Sequence, residues 1–93
     1  MSSSVIRYRT KPDAADENQR LIEKVFAELA ETRPGGLSYT SHRLDDGVTF
    51  VHVVSGDGLP ELAAFQEFQR GLADRMEAPL VREPSTRLGS YSG

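Results

Sequence analysis

The stretch Val48 to Val54, VTFVHVV, is apolar on both faces of an extended chain. Successive strand residues alternate sides, so Val48, Phe50, His52 and Val54 point one way and Thr49, Val51 and Val53 the other. A sheet covered by helices on one face normally shows polar residues on its second face. A chain of 93 residues has helices enough for one face only. The other would be a large exposed apolar patch, which soluble monomers avoid. Burying one valine side chain stabilises by roughly 1.5–3 kcal/mol. The strand therefore predicts a homodimer packed sheet to sheet. The competing reading is a monomer with a half-wet sheet.

The rest of the chain supplies the other elements. Val5 to Thr10, VIRYRT, alternates among good strand formers until KPD stops it. Asp13 suits an N-cap, and Asp16 stands where a capping box has its acid. A helix is predicted from Ala14 to Thr32, with Leu21, Ile22, Val25, Phe26 and Leu29 forming one stripe. Pro34 disfavours a helical Arg33, and Gly35-Gly36 complete the break. Leu37 to Leu44 reads as a second strand. Asp46-Gly47 is a hairpin signal, because both central residues of a type I′ turn need positive φ. Pro60 suits the first turn of a second helix reaching Met76, with Leu62, Phe65, Phe68, Leu72 and Met76 as its stripe. A last strand is expected between Val81 and Tyr91, with Pro84 demanding an edge position or a bulge.

The order β-α-β-β-α-β is the ferredoxin-like α+β pattern: a four-stranded antiparallel sheet with two helices on one face. The right-handed crossover rule puts strands 1 and 3 side by side in the middle. The length suggests a single domain, residues 1–93, with a thin core.

Composition removes several function classes. A net charge of −3, with basic and acidic residues interleaved, argues against nucleic-acid binding. The absence of cysteine excludes disulfides and thiolate metal sites. Two histidines away from any carboxylate cluster argue against a zinc or iron site, so no metal or cofactor is expected. No apolar run is long enough to span a bilayer, and no signal peptide is evident; a soluble cytoplasmic protein is the expectation.

Hairpin register decides what His52 meets. If Asp46 and Gly47 are the two turn residues, Ser41 faces His52 and Tyr39 faces Val54. His52 then shares a face with Leu37, Tyr39 and Phe50, while His42 lies on the opposite face beside Val51. A three-residue turn would shift the register by one, bring Thr40 opposite His52 and place His42 on its face. His52 is read either as a general base in an apolar pocket between sheet and helices, or as a core histidine bonded to Ser41, a backbone carbonyl or a partner subunit. In the first reading burial keeps the imidazole neutral and able to take a proton from a phenol or quinol. Tyr39 would orient the substrate or donate a hydrogen bond, and Phe50, Phe65 and Phe68 would line the pocket. Phe65 and Phe68 also fit ordinary helix core. Arg7 and Arg9 suit either an anion site or a polar layer paired with Glu83 or other acids. The glycines of Gly35-Gly36 and SGDG lack the context of a phosphate loop, and turn chemistry accounts for them.

The segments VIRYRTKPD, GGLSYTSHRLDDGVTFVHVV and LAAFQEFQRGLADR carry a likeness to a family. Together with the element order and the doubly apolar strand, they make the whole chain resemble the dimeric α+β barrel proteins. Within these it looks most like the antibiotic biosynthesis monooxygenase-like group. The resemblance implies two sheets forming a barrel between subunits, and a ligand pocket between each sheet and its helices. Activities it implies include cofactor-independent oxygenation of phenolic or quinol substrates and haem degradation. Members with those activities rely on combinations of Asn, Trp, His and Tyr. This chain has no tryptophan, and its single asparagine, Asn18, lies on helix 1, so neither role carries over. Two functions from different classes follow: a small cofactor-independent monooxygenase acting on an aromatic or quinol substrate with His52 as base, or a non-catalytic protein of the same fold that binds a small hydrophobic ligand or serves assembly.

Overall fold

The computed structural model of the protein describes residues 2–93. Four strands, β1 (Ser2–Arg9), β2 (Ser38–Arg43), β3 (Thr49–Ser55) and β4 (Val81–Thr86), form one sheet in the order β2-β3-β1-β4. Every neighbouring pair is antiparallel. Helix α1 (Ala15–Thr32) crosses from β1 to β2, and helices α2 (Ala63–Arg70) and α3 (Leu72–Arg75) lead from β3 to β4. This is the ferredoxin-like α+β arrangement, with β1 and β3 central as the crossover rule requires. Among the described residues no helix is long and apolar enough to cross a membrane.

The core lies between the sheet and the helices. From the sheet it takes Tyr8 and Phe50, which sit opposite each other on β1 and β3. From α1 it takes Ala15, Ile22 and Val25, and from α2 Phe65 and Phe68. Spacings of three and four put each helix's set on one stripe. The other sheet face has no helix. Val5, Val51 and Val53 are half-buried there, and Val81 is 53% exposed.

Local details depart from the sequence expectations at three places. The Asp13 cap and the Asp16 capping box do not form. Pro12 opens a 3-10 turn, Pro12–Ala14, which absorbs Asp13 and leaves Ala14 at the N-cap without a side-chain bond. Asp16 instead accepts a bond from Arg43 at 3.1 Å. The second helix is not continuous: Pro60 belongs to a separate 3-10 turn, Leu59–Glu61, and the helix breaks again at Gly71. The last strand, Val81–Thr86, falls within the stretch expected for it, with Pro84 in it as an edge residue beside Ser4.

The hairpin turn is also not type I′. Only Gly47 has a positive φ, +79°, whereas type I′ needs two such residues. Leu44 donates to the Thr49 carbonyl at 2.8 Å, so residues 45–48 form a four-residue loop. The Asp46 carboxylate caps it, accepting from the N–H groups of Val48 at 3.0 Å and Thr49 at 2.9 Å and from the Thr49 hydroxyl. Those bonds hold its carboxyl down at about 2. Replacing a two-residue loop by a four-residue one leaves pairing unchanged, because one residue is released from each strand. Ser41 accordingly faces His52, Tyr39 faces Val54 and His42 faces Val51.

Candidate functional site

His52 is central on β3, paired with Ile6 on one side and Ser41 on the other. Its side chain points to the helices and is 2% exposed. Both ring nitrogens are bonded to tyrosine hydroxyls: Nε2 to Tyr8 at 2.8 Å and Nδ1 to Tyr39 at 2.7 Å. The three rings lie nearly parallel, at 12° for Tyr8–His52 and 8° for Tyr39–His52. Neither Ser41 nor a backbone carbonyl satisfies the imidazole. The strand alternation that faces Tyr8, His52 and Tyr39 the same way is what allows three neighbouring strands to supply one line of polar atoms.

Behind Tyr8 the line continues. The Asn18 amide donates to the Tyr8 hydroxyl at 2.9 Å, and Arg75 Nε donates to Asn18 Oδ1 at 3.0 Å. A second Arg75 nitrogen, Nη2, donates to the Phe68 carbonyl at 2.7 Å, and the guanidinium lies 5.3 Å from the Phe68 ring centre. Asn18 is fully buried at 0% exposure and Arg75 at 6%. The missing side chain at Gly71 makes room for this arginine, since a Cβ there would lie 2.8 Å from Arg75 Nη1.

Burial governs the electrostatics. It pulls the His52 pKa down to about 4, so the imidazole is neutral at pH 7. It pushes the Tyr8 hydroxyl up to about 12, against the opposing pull of the Asn18 bond and the Arg75 charge. Tyr39 is raised further above the ordinary tyrosine range by burial, with a smaller contribution from Tyr8.

A cavity of about 800 Å³ opens beside this line, between the sheet and α2. Tyr39, His52, Phe65, Phe68, Leu72 and Arg82 are among its walls. That volume is within the range of small-molecule sites. Tyr39 also borders a smaller cavity of about 340 Å³, with Phe26, Leu29 and Leu37. Among the described residues no three His, Asp or Glu side chains converge as metal ligands would.

The residues singled out from the sequence divide as follows. His52, Tyr39, Phe65 and Phe68 come together at the cavity. Phe50 does not border it; it is buried against Tyr8, with ring centres 5.7 Å apart, and under the Arg43 guanidinium. His42 is exposed on the open sheet face. Arg9 pairs at the surface with an acid other than Glu83, Glu77, at 3.2 Å. Tyr8, Asn18 and Arg75 escaped the sequence reading. Asn18 had a signal, because it continues the buried stripe of Ala15, Ile22 and Val25 at helical spacing, and a polar residue there needs partners. Arg75 lies three residues past Leu72 on the same stripe, but its partners are remote in sequence.

No protein-family model matches the chain, and no curated protein matches it significantly. Solved structures do. A candidate antibiotic biosynthesis monooxygenase from Nitrosomonas europaea superposes with a TM-score of 0.80 at 16% identity, covering 96% of this chain and 100% of that one. Rv0793 from Mycobacterium tuberculosis gives 0.75 at 15% identity, covering 98% of each chain. A candidate antibiotic biosynthesis monooxygenase from Caulobacter crescentus gives 0.73 at 17%, covering 95% of this chain and 90% of that one. Over nearly its whole length the chain has the fold of these proteins, the fold that the sequence resemblance implied.

Proposed function

We propose that this chain is an antibiotic biosynthesis monooxygenase-like protein that binds a small flat aromatic molecule beside Tyr39 and oxygenates a phenol or quinol there without a cofactor. The observation carrying the proposal is the cavity of about 800 Å³ walled by Phe65 and Phe68, with the Tyr39–His52 pair at its inner side. Aromatic walls favour a flat ring. An electron-rich phenolate reacts with oxygen more readily than the neutral phenol does, so such a site needs a group that holds the phenolate oxygen or takes its proton. Tyr39 is the half-exposed member of the pair and the group a ligand meets. His52 stands behind it, neutral at pH 7.

The test is oxygen uptake with a panel of naphthalene and anthracene quinols, followed alongside by NMR. Uptake, together with shifts confined to Tyr39, Phe65 and Phe68, is the expected result, and Tyr39→Phe should lower turnover about ten-fold or more, in the range of a lost proton-transfer or hydrogen-bonding group. An unmoved spectrum across the panel would remove the proposal.

One observation favours a second reading, that the chain binds such a ligand without acting on it. Both His52 nitrogens are already bonded to tyrosines, so no free imidazole nitrogen faces the cavity. Ligand shifts without oxygen uptake would select that reading.

We also propose that two copies associate through the open sheet face. The half-exposed Val5, Val51, Val53 and Val81 form its apolar centre. Supporting this is the cost of leaving several valines in water, at roughly 1.5–3 kcal/mol each for full burial.

A further inference from the structure

We propose that Arg75 and Asn18 hold the His52 proton on Nδ1 and thereby make the Tyr39 hydroxyl a hydrogen-bond donor to the cavity, selecting an aromatic ligand with a carbonyl or phenolate oxygen. The ligand clause rests on reading the cavity as a binding site; the tautomer does not.

The direction of each bond follows from one fixed donor. A guanidinium has N–H donors and no acceptor. Arg75 Nε therefore fixes which end of the Asn18 amide it meets: the oxygen, at 3.0 Å. The amide nitrogen then points to Tyr8 and donates to its oxygen at 2.9 Å. With that oxygen already accepting, the Tyr8 hydrogen is available for His52 Nε2 at 2.8 Å. Nε2 is then the acceptor of the neutral ring, and Nδ1 carries the proton and donates to the Tyr39 oxygen at 2.7 Å. The Tyr39 hydrogen is left over. Among the described residues, Tyr39 makes no other side-chain hydrogen bond, and it borders the cavity.

The reverse order is disfavoured. If Nε2 carried the proton, the Tyr8 oxygen would accept from both Asn18 and His52. The Tyr8 hydrogen would then be stranded at a residue only 4% exposed. The forward order places the spare hydrogen on the half-buried Tyr39 rather than on Tyr8, which borders the same cavity but is only 4% exposed. An unmade buried hydrogen bond is costly enough to set a preference of about ten-fold or more. Arg75 and Asn18 are thus positioning residues: they touch no ligand, and they act through the two tyrosines and the imidazole.

The experiment reads the ring nitrogens of ligand-free protein carrying ¹⁵N-labelled histidine, in a long-range proton–nitrogen correlation spectrum at pH 7. His42→Gln identifies the His52 signals. Wild type should show the Nδ1–H tautomer in about ten-fold excess or more. Asn18→Asp keeps the shape but turns the donor at Tyr8 into an acceptor. Tyr8 then donates to the carboxylate, its oxygen accepts from Nε2–H, and the spectrum should switch to the Nε2–H tautomer. Wild type as Nε2–H or as an even mixture overturns the proposal. So does a folded Asn18→Asp variant that stays Nδ1–H. Should that variant not fold, Tyr8→Phe removes the hydroxyl that donates to Nε2 and should erase the Nδ1–H excess; an excess that survives overturns the proposal, and if neither variant folds the wild-type spectrum decides alone. With no ligand in the tube, this outcome is separate from whether the cavity binds an aromatic.

Discussion

His52 is a titratable residue folded into its neutral form, and its stability consequence has a definite sign. The unfolded imidazole takes a proton near 6.5 and the folded one only near about 4. Between those values the unfolded chain binds more protons, so acidification favours unfolding. The stability in question is complete above pH 6.5 and is lost as pH falls through about 4. At roughly 1.4 kcal/mol per pH unit the loss is about 3 kcal/mol. Urea unfolding measured from pH 7 to pH 4 should show this fall, and His52→Gln should flatten the curve over that window; a variant as steep as wild type would mean that another group titrates there. The same residue shows how a site can be half legible. Its position in an apolar strand marked it for attention, and register placed Tyr39 on its face. Tyr8 was out of reach, because nothing in the sequence states that Ile6 pairs with His52 across β1 and β3. Asn18 was within reach, as a polar residue on a buried helical stripe.

At the level of elements, the connections depart from expectation more than the strands and helices do. Turn chemistry has several solutions for one sequence, and tertiary contacts choose among them. Asp46-Gly47 suits type I′, yet the Asp46 carboxylate bonding to Thr49 and Val48 makes a longer loop available. Gly56, just after β3, is constrained by a neighbouring segment instead. It has a φ of +90°, and a Cβ there would fall within van der Waals distance of the Gly36 carbonyl oxygen, 2.9 Å from its carbon and 3.1 Å from Leu37 Cα. All three are backbone atoms just before β2 and cannot swing aside. Gly56→Ala should therefore destabilise by about 2–4 kcal/mol, combining overpacking with a left-handed backbone. Gly35→Ala, where nothing lies within 4 Å of a Cβ, should stay within about 1 kcal/mol of wild type. Denaturant midpoints for the pair decide the matter, and equal midpoints would show that the two segments separate in solution. Turn preference accounted for both glycines in the sequence; only the close approach of two loops distinguishes them.

For the whole molecule the open sheet face is the outstanding question, and it is one of association. If two copies meet there, light scattering on a sizing column should give twice 10.3 kDa. Val53→Asp would place a charge at the centre of the face and should return the mass to that of one chain. A wild-type monomer at micromolar concentration would argue instead for the half-wet sheet. The architecture was open to sequence reading because its determinants are local and periodic. Alternation in β1 to β3, helical spacing in Ile22 and Val25 and again in Phe65 and Phe68, and the hairpin signal at Asp46-Gly47 are patterns within a few residues. With the crossover rule they lead to one sheet order. The chain's periodicity thus determined the fold and the apolar character of the second face, while the hairpin register that puts Tyr39 on the face of His52 was one of two the sequence allowed. Tertiary structure alone decided that an arginine at position 75, an asparagine at 18 and two tyrosines 31 residues apart converge on one imidazole, with a cavity left beside them. Directional bonds between side chains far apart in sequence leave no periodic trace, and an empty volume is set by how all the elements pack together.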